Sequence, residues 1–220
     1  MYPDEIGVLQ KMVDEGEFKK ARIFAKQAVS SEQEICNNAE FWFIYGVVVR
    51  LTDHDNDLLA SINQNMLLCK NFNDLMAGDW LRDDILYAIR RNELDGLDTL
   101  LPALKNLHQD DKNRLAAIQM LQGRIAYARK NYSSALEYFL DADKAWRNLK
   151  TSANNQWAAN NRFAMYKAMV AQKNSSCYLI ATEIINEVKS RTRRFRTRFI
   201  NQNGRLGNAI DDLLMRIRFS

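Results

Sequence analysis

Only two prolines, Pro3 and Pro102, and eight glycines interrupt the 220 residues of this chain. With so few breaks, and with Ala, Leu, Asn, Lys and Arg abundant, helix is favoured over sheet. Histidine occurs twice, at His54 and His108, and neither belongs to a helix-spaced ligand pair such as H-E-x-x-H. The three cysteines, Cys36, Cys69 and Cys177, lie far apart without C-x-x-C spacing, so no zinc or thioredoxin-like motif is suggested and reduced, mostly buried thiols are expected. No run approaches the roughly 20 apolar residues of a membrane span. The longest, 41–49, is interrupted by Gly46 and reads as a buried helix. The start, Met1-Tyr2-Pro3-Asp4-Glu5, lacks the basic and apolar signature of a secretory signal, which gives a cytoplasmic expectation without membrane partners.

Motifs that carry chemistry are also missing. There is no G-x-S-x-G elbow, no G-x-G-x-x-G and no G-x-x-x-x-G-K, and no thiol has a histidine three or four residues away. Asp53-His54-Asp55-Asn56-Asp57 imitates the start of a calcium loop. Leu58 and Gln64, however, occupy the positions where that loop requires Gly and a bidentate Glu, so a turn in which Asp55 or Asp57 caps the next helix is the preferred account. Neither catalytic residues nor a cofactor or metal is expected, and the chain is read as a non-enzyme.

What is present is repetition. Gly16, Phe18, Ala21, Ala25 and Ala28 recur as Asn92, Leu94, Leu97, Leu101 and Leu104, and again as Lys130, Tyr132, Ala135, Phe139 and Ala142. A turn residue followed by apolar residues at these offsets describes the second helix of a helical hairpin, with an inner stripe against the helix before it. Five hairpins can be traced. The first pairs Ile6, Leu9, Met12 and Val13 with the Phe18 stripe across Gly16. The second runs from Phe41, Trp42, Tyr45, Gly46 and Val49 through a turn at Thr52–Asn56 to Leu58, Leu59, Ile62 and Met66, with Gly46 allowing a close helix approach. The third is capped by Asp79 and has Pro102 inside its second helix, where a missing N–H should kink or shorten it. In the fourth, Ser133 or Ser134 is the expected cap. The fifth joins Trp157, Phe163, Tyr166 and Val170 to a helix capped by Ser175 or Ser176. Equivalent first-helix positions are Leu9, Gly46, Ile85, Gly123 and Met169, at intervals of 37, 39, 38 and 46 residues.

Leu121-Gln122-Gly123-Arg124-Ile125-Ala126-Tyr127, followed by Asn131-Tyr132-Ser133-Ser134-Ala135-Leu136-Glu137-Tyr138-Phe139 and Ala142, resembles a tetratricopeptide repeat. Gly16-Glu17-Phe18-Lys19-Lys20-Ala21 with Ala25 and Ala28 resembles the second half of another. The intervals exceed that family's period of about 34 residues and its repeat-ending Pro is missing. The resemblance implies an all-α fold, a right-handed α-α superhelix of about five helical hairpins with a C-terminal capping helix, whose concave side binds a protein or peptide. It implies no catalytic residues.

Two sets of side chains stand out as candidates for binding. Trp42, Tyr45, Trp80 and Tyr87 could line a peptide groove, although at helical spacing most such aromatics serve inter-helix contact. Arg124, Tyr127, Asn131 and Asn161 join them by position on first-helix faces away from the apolar stripe. The second set is electrostatic. Residues 189–220 carry nine basic and two acidic residues, net +7, against 22 basic and 25 acidic in the rest, net −3. Residues 1–188 are therefore read as the repeat domain and 189–220 as a basic helix followed by a capping helix. Lys189, Arg191, Arg193, Arg194, Arg196 and Arg198 either solubilise the end of the stack or contact DNA, RNA or an acidic partner. Nucleic-acid binding through several phosphates would weaken steeply with salt, as an apolar groove would not. After Gly204 and Gly207, Asn208 is placed to cap a last helix whose Ile210, Leu213, Leu214 and Ile217 cover the stack's end or a second subunit's in a homodimer.

Overall fold

The computed structural model describes residues 3–31, 33–52, 55–149 and 156–190. All regular structure among them is helical: α1 (Pro3–Asp14), α2 (Phe18–Ser30), a short 3-10 helix (Glu34–Asn37), α3 (Ala39–Thr52), α4 (Asn56–Leu68), α5 (Asp74–Arg91), α6 (Leu97–Leu107), α7 (Lys112–Ala128), α8 (Tyr132–Asn148), α9 (Gln156–Ala171) and α10 (Cys177–Ser190). Their order is that of the five successive helix pairs the repeating stripes predict, and α1–α2, α3–α4, α7–α8 and α9–α10 pack within their pairs. The chain forms two compact units, Met1–Asp83 and Asp84–Ser220, with the division inside α5. The expected last helix, from Asn208 to Ile217, lies outside the described residues.

In the first unit α1 packs on α2, α2 on α3 and α3 on α4, and α1 also touches α3. The second unit repeats this scheme, with α6 against α7, α7 against α8, α8 against α9, α9 against α10, and α7 reaching α9. Neighbour-to-neighbour contact of this kind is the helical-repeat arrangement. Its basis is residue size. Ala21, Ala25 and Ala28 on α2, and Ala135, Phe139 and Ala142 on α8, are all buried, so these two second helices present a mostly small face on which another helix can lie close.

The turn residues that announced the repeat, Gly16, Asn92 and Lys130, share one backbone conformation with φ of 77°, 60° and 63°, and Lys173, which the sequence pattern did not single out, has the same conformation at 57°. After each, the next N–H reaches back to the carbonyl five residues earlier: Glu17 to Met12 at 2.8 Å, and Glu93 to Ala88, Asn131 to Ala126 and Asn174 to Met169 at 2.9 Å each. The turn residue's own N–H bonds three residues back in every case. This double bond is the left-handed closure that satisfies the last carbonyls of a helix. In the fifth hairpin the buried positions are Cys177, Ala181 and Ile184, one residue earlier relative to the turn than in α2 and α8, which is why its stripe is faint in the sequence.

Several expected caps move by a few residues. α5 starts at Asp74, and its cap is Asn73, whose Oδ1 accepts from the Met76 N–H at 3.0 Å; Asp79 lies inside the helix and pairs with Arg82. Asn131, rather than Ser133 or Ser134, caps α8 by accepting from the Ser134 N–H at 3.3 Å; α10 starts at Cys177, directly after Ser176, whose N–H is held by Asn174 Oδ1 at 2.9 Å. Asp55 caps α4 as expected, accepting from Leu58 N–H at 2.9 Å. α6 begins only at Leu97, and at 11 residues it is short, as a helix containing Pro102 should be. All three thiols are free, but only Cys177 is buried; Cys36 and Cys69 are half-buried, and burial pushes both thiols above their ordinary pKa.

In the second unit Trp146 is fully buried and donates its indole N–H to Asn113 Oδ1 at 2.7 Å, fastening the end of α8 to the start of α7. Asp143 accepts from Arg147 at 2.6 Å and from Arg162 at 2.8 Å, and Arg162 also pairs with Glu187, so charged side chains bind α8, α9 and α10 together. In the first unit Trp80 covers Gly46 of α3 and carries the Arg50 guanidinium 3.7 Å above its ring.

Candidate functional site

α7 buries Ala116, Ala117, Met120, Leu121, Gly123 and Ile125, and Gly123 lets the ring of Phe139 lie directly against its backbone. The residue after Gly123 is Arg124, rotated about 100° around the helix from that contact. Part of its side chain remains open to solvent, but Nε is buried and has no hydrogen-bond partner. Among the described residues no carboxylate pairs with Arg124. What lies near it is further positive charge: Arg90 of α5 and Lys167 of α9, both within electrostatic reach.

Three cations thus come from three helices of one unit. Burial, and after it the Arg90 charge, lowers the Arg124 guanidinium to about 10, still above neutrality, so the side chain keeps its charge at physiological pH. Lys167 is lowered too, first by desolvation and then by Arg124, and its ammonium stands 4.9 Å from the centre of the Phe163 ring. One turn along α7 from Arg124, Tyr127 is half-buried and tilts against Tyr132 with ring centres 5.2 Å apart; burial raises its phenol pKa. A guanidinium whose buried Nε has no acceptor, in the field of further positive charge, is suited to receiving an acceptor from outside the chain.

The other residues singled out from the sequence have different surroundings. Trp42 and Tyr45 are core residues of α3: Trp42 donates its indole N–H to the Cys36 carbonyl at 2.6 Å, and its ring lies 5.2 Å from that of Phe41 and 6.4 Å from that of Tyr45. Trp80 is buried on Gly46 in the same unit. Tyr87, on α5, is half-buried. Asn131 is exposed and serves as the cap of α8. Asn161 is fully buried and donates its Nδ2–H to the Phe139 carbonyl at 2.8 Å, which makes it a tie between α9 and α8 and leaves no side-chain surface for a guest. Lys189 belongs to α10, whereas Arg191, Arg193, Arg194, Arg196 and Arg198 lie outside the described residues.

Of the eight groove candidates, Arg124 and Tyr127 are therefore the two that share an accessible stretch of one first helix. Arg90 and Lys167 were missed by the sequence reading. They occupy non-equivalent positions of their helices, so no repeat or local periodicity in the sequence points to them.

No family model, no curated protein and no solved structure matches this chain. The tetratricopeptide resemblance therefore stands on the residues quoted for it. No described helix is long and apolar enough to cross a membrane.

Proposed function

We propose that this chain is a non-enzymatic protein-interaction module, and that the second unit receives a segment of a partner polypeptide on the face carrying Arg124 and Tyr127. Arg124 carries the reading: its Nε is buried without an acceptor, and the charge that acts on it, Arg90, is of its own sign. A desolvated charge left in this state costs stability, and a binding site is where such a cost is recovered when a ligand arrives. Helical repeats supply the setting, because neighbouring first helices such as α7 and α9 touch and such arrays bind along their stacked helices. Tyr127 adds an aromatic body with a polar tip, the side-chain type that contributes most area for least entropy at interfaces.

A photo-crosslinking amino acid in place of Tyr127 tests this in the cell from which the chain comes. The expected result is a discrete crosslinked polypeptide that is not captured when the same group replaces Leu179, an exposed residue of α10. Equal capture from both positions, or none from Tyr127, would refute the proposal.

A further inference from the structure

We propose that Cys36 and Cys69 form a reversible oxidation site, closing to a disulfide that ties the 3-10 helix before α3 to the end of α4. The site lies wholly within the first unit and does not depend on the interaction face of the second.

Hydrogen bonds place the two residues together. The Cys69 thiol lies 3.3 Å from the Asn65 carbonyl oxygen of its own helix and 3.8 Å from the carbonyl oxygen of Cys36. Beside it Asn71 accepts the Ala39 N–H at 2.9 Å and donates to Asn38 Oδ1 at 2.9 Å, so residues 69–71 run along residues 36–39. Neither cysteine sits in loose chain. The Cys36 N–H bonds to the Gln33 carbonyl at 2.9 Å and the Cys36 carbonyl takes the Trp42 indole N–H at 2.6 Å. The Cys69 N–H bonds to the Met66 carbonyl at 3.2 Å, and the Cys69 carbonyl takes the Phe72 N–H at 3.1 Å. With both backbones fixed side by side, closure asks for rotation about the Cα–Cβ bonds and little else. Both side chains are half-buried against the core of the first unit, open enough for a small oxidant, whereas Cys177 is buried in the other unit.

The oxidant is a hydroperoxide. One thiolate attacks the O–O bond and becomes a sulfenic acid as the other oxygen leaves and is protonated to water or an alcohol. The second thiolate then attacks that sulfur, the S–S bond forms, and hydroxide leaves to become water. Two electrons pass from the sulfurs to the peroxide, and a dithiol returns them. Burial raises both thiol pKa values, so thiolate is scarce near neutral pH and the site answers sustained oxidation rather than a brief pulse. The consequence is mechanical. α3 and α4 pack as a pair and are joined in the chain between Thr52 and Asn56; the disulfide closes their opposite end, and α3 carries the restraint to α1 and α2, which it also touches.

The test treats the full chain, at low concentration, with hydrogen peroxide, blocks the remaining thiols with N-ethylmaleimide in urea and maps the peptides by mass. The expected product joins Cys36 to Cys69 with loss of two hydrogens, leaves Cys177 to the maleimide and is reversed by dithiothreitol. Cys36→Ser and Cys69→Ser should each lack it, and Cys177→Ser should retain it. Because the bond closes a span of 33 residues, it should raise the thermal transition of the wild type by at least about 5 °C and leave both serine variants unshifted. In glutathione buffers the folded chain should hold the disulfide at a proportion of oxidised glutathione at least about tenfold lower than the urea-unfolded chain requires.

Oxidation of either sulfur to a sulfinic acid without the link, links that include Cys177 as readily, a bond formed only between two copies of the chain, or equal retention of the bond in folded and unfolded chain would each overturn the inference. A link that leaves the transition temperature unchanged would overturn the bracing of α3 and α4.

Discussion

Replacing Gly123 by alanine would put a methyl carbon 2.5 Å from Cε1, 2.6 Å from Cδ1 and 3.0 Å from Cζ of Phe139. Those separations lie well inside van der Waals contact, so something must shift. Phe139 has no exposed surface, and its ring is held in the buried cluster that also contains Trp146, Ala116 and Met120. Overfilling a core of this kind costs about 1–3 kcal/mol. Against it stands the better helix propensity of alanine in the middle of α7, worth about 1 kcal/mol. With contacts this short the overfilling sits toward the upper part of its range, and the net expectation is a loss of about 1–2 kcal/mol. Urea unfolding should show it as a midpoint lowered by about 0.5–1 M at an ordinary m-value near 2 kcal/mol per M. Gly7→Ala provides the opposite sign. Gly7 is in α1 with nothing within 4 Å of its would-be Cβ, so alanine there should stabilise by about 0.5–1 kcal/mol. Combining Gly123→Ala with Phe139→Leu should cost less than the sum of the two single changes, because the smaller side chain relieves the clash. A Gly123→Ala variant at least as stable as wild type would show that the helix spacing in this hairpin is set by something other than the missing Cβ.

Three further expectations concern turns, caps and charge. Lys130→Gly should stabilise by about 0.5–1 kcal/mol in thermal unfolding, since Lys130 holds φ of 63° with a Cβ that glycine lacks. Asp111→Ala should cost about 1 kcal/mol, because its Oδ1 accepts from the Asn113 and Arg114 N–H groups at 2.9 and 3.0 Å. Burial works against the ionised Asp111 carboxylate, but the Arg114 backbone and side-chain bonds outweigh it and hold its pKa below 3.8. That contribution should therefore be complete above pH 3.8 and disappear as pH falls through the lower folded-state value, so wild type and variant should converge in acid unfolding curves. Lys167 has the reverse behaviour. Its pKa lies below 10.5 in the folded chain, so its charge is a penalty at neutral pH that fades as pH rises through the folded value toward 10.5; in Arg124→Gln the Lys167 titration, followed by carbon chemical shift, should move upward.

The helical pairs could be read from the chain because hairpin closure and helix contact both leave marks at fixed offsets. Gly16, Asn92 and Lys130 mark the closures, and the buried Ala21, Ala25 and Ala28 mark one contact face. Caps were less legible. Asp79 and Ser133 are good capping types, but Asn73 and Asn131 are just as good and lie closer to where the backbone leaves the preceding turn. The aromatic residues were ambiguous for a different reason: Trp42, Tyr45 and Trp80 suit a groove or a core equally by composition, and burial decided for the core. For the candidate site, position on α7 was enough to single out Arg124 and Tyr127. Arg90 and Lys167 are tied to Arg124 by electrostatics across separate elements, a relation that a one-dimensional pattern does not carry.

The matching left-handed links at Gly16, Asn92, Lys130 and Lys173 work as interchangeable clasps, since they depend on backbone bonds and accept Gly, Asn or Lys alike. Couplings from one hairpin to the next are bespoke by contrast: a 3-10 helix precedes α3, and a three-residue turn at 108–110 precedes α7. A lineage carrying such a chain can lengthen it by copying a clasp with its two helices, and can retune it by rewriting couplings alone. Divergence confined to the couplings would change which surfaces meet without disturbing how any hairpin folds.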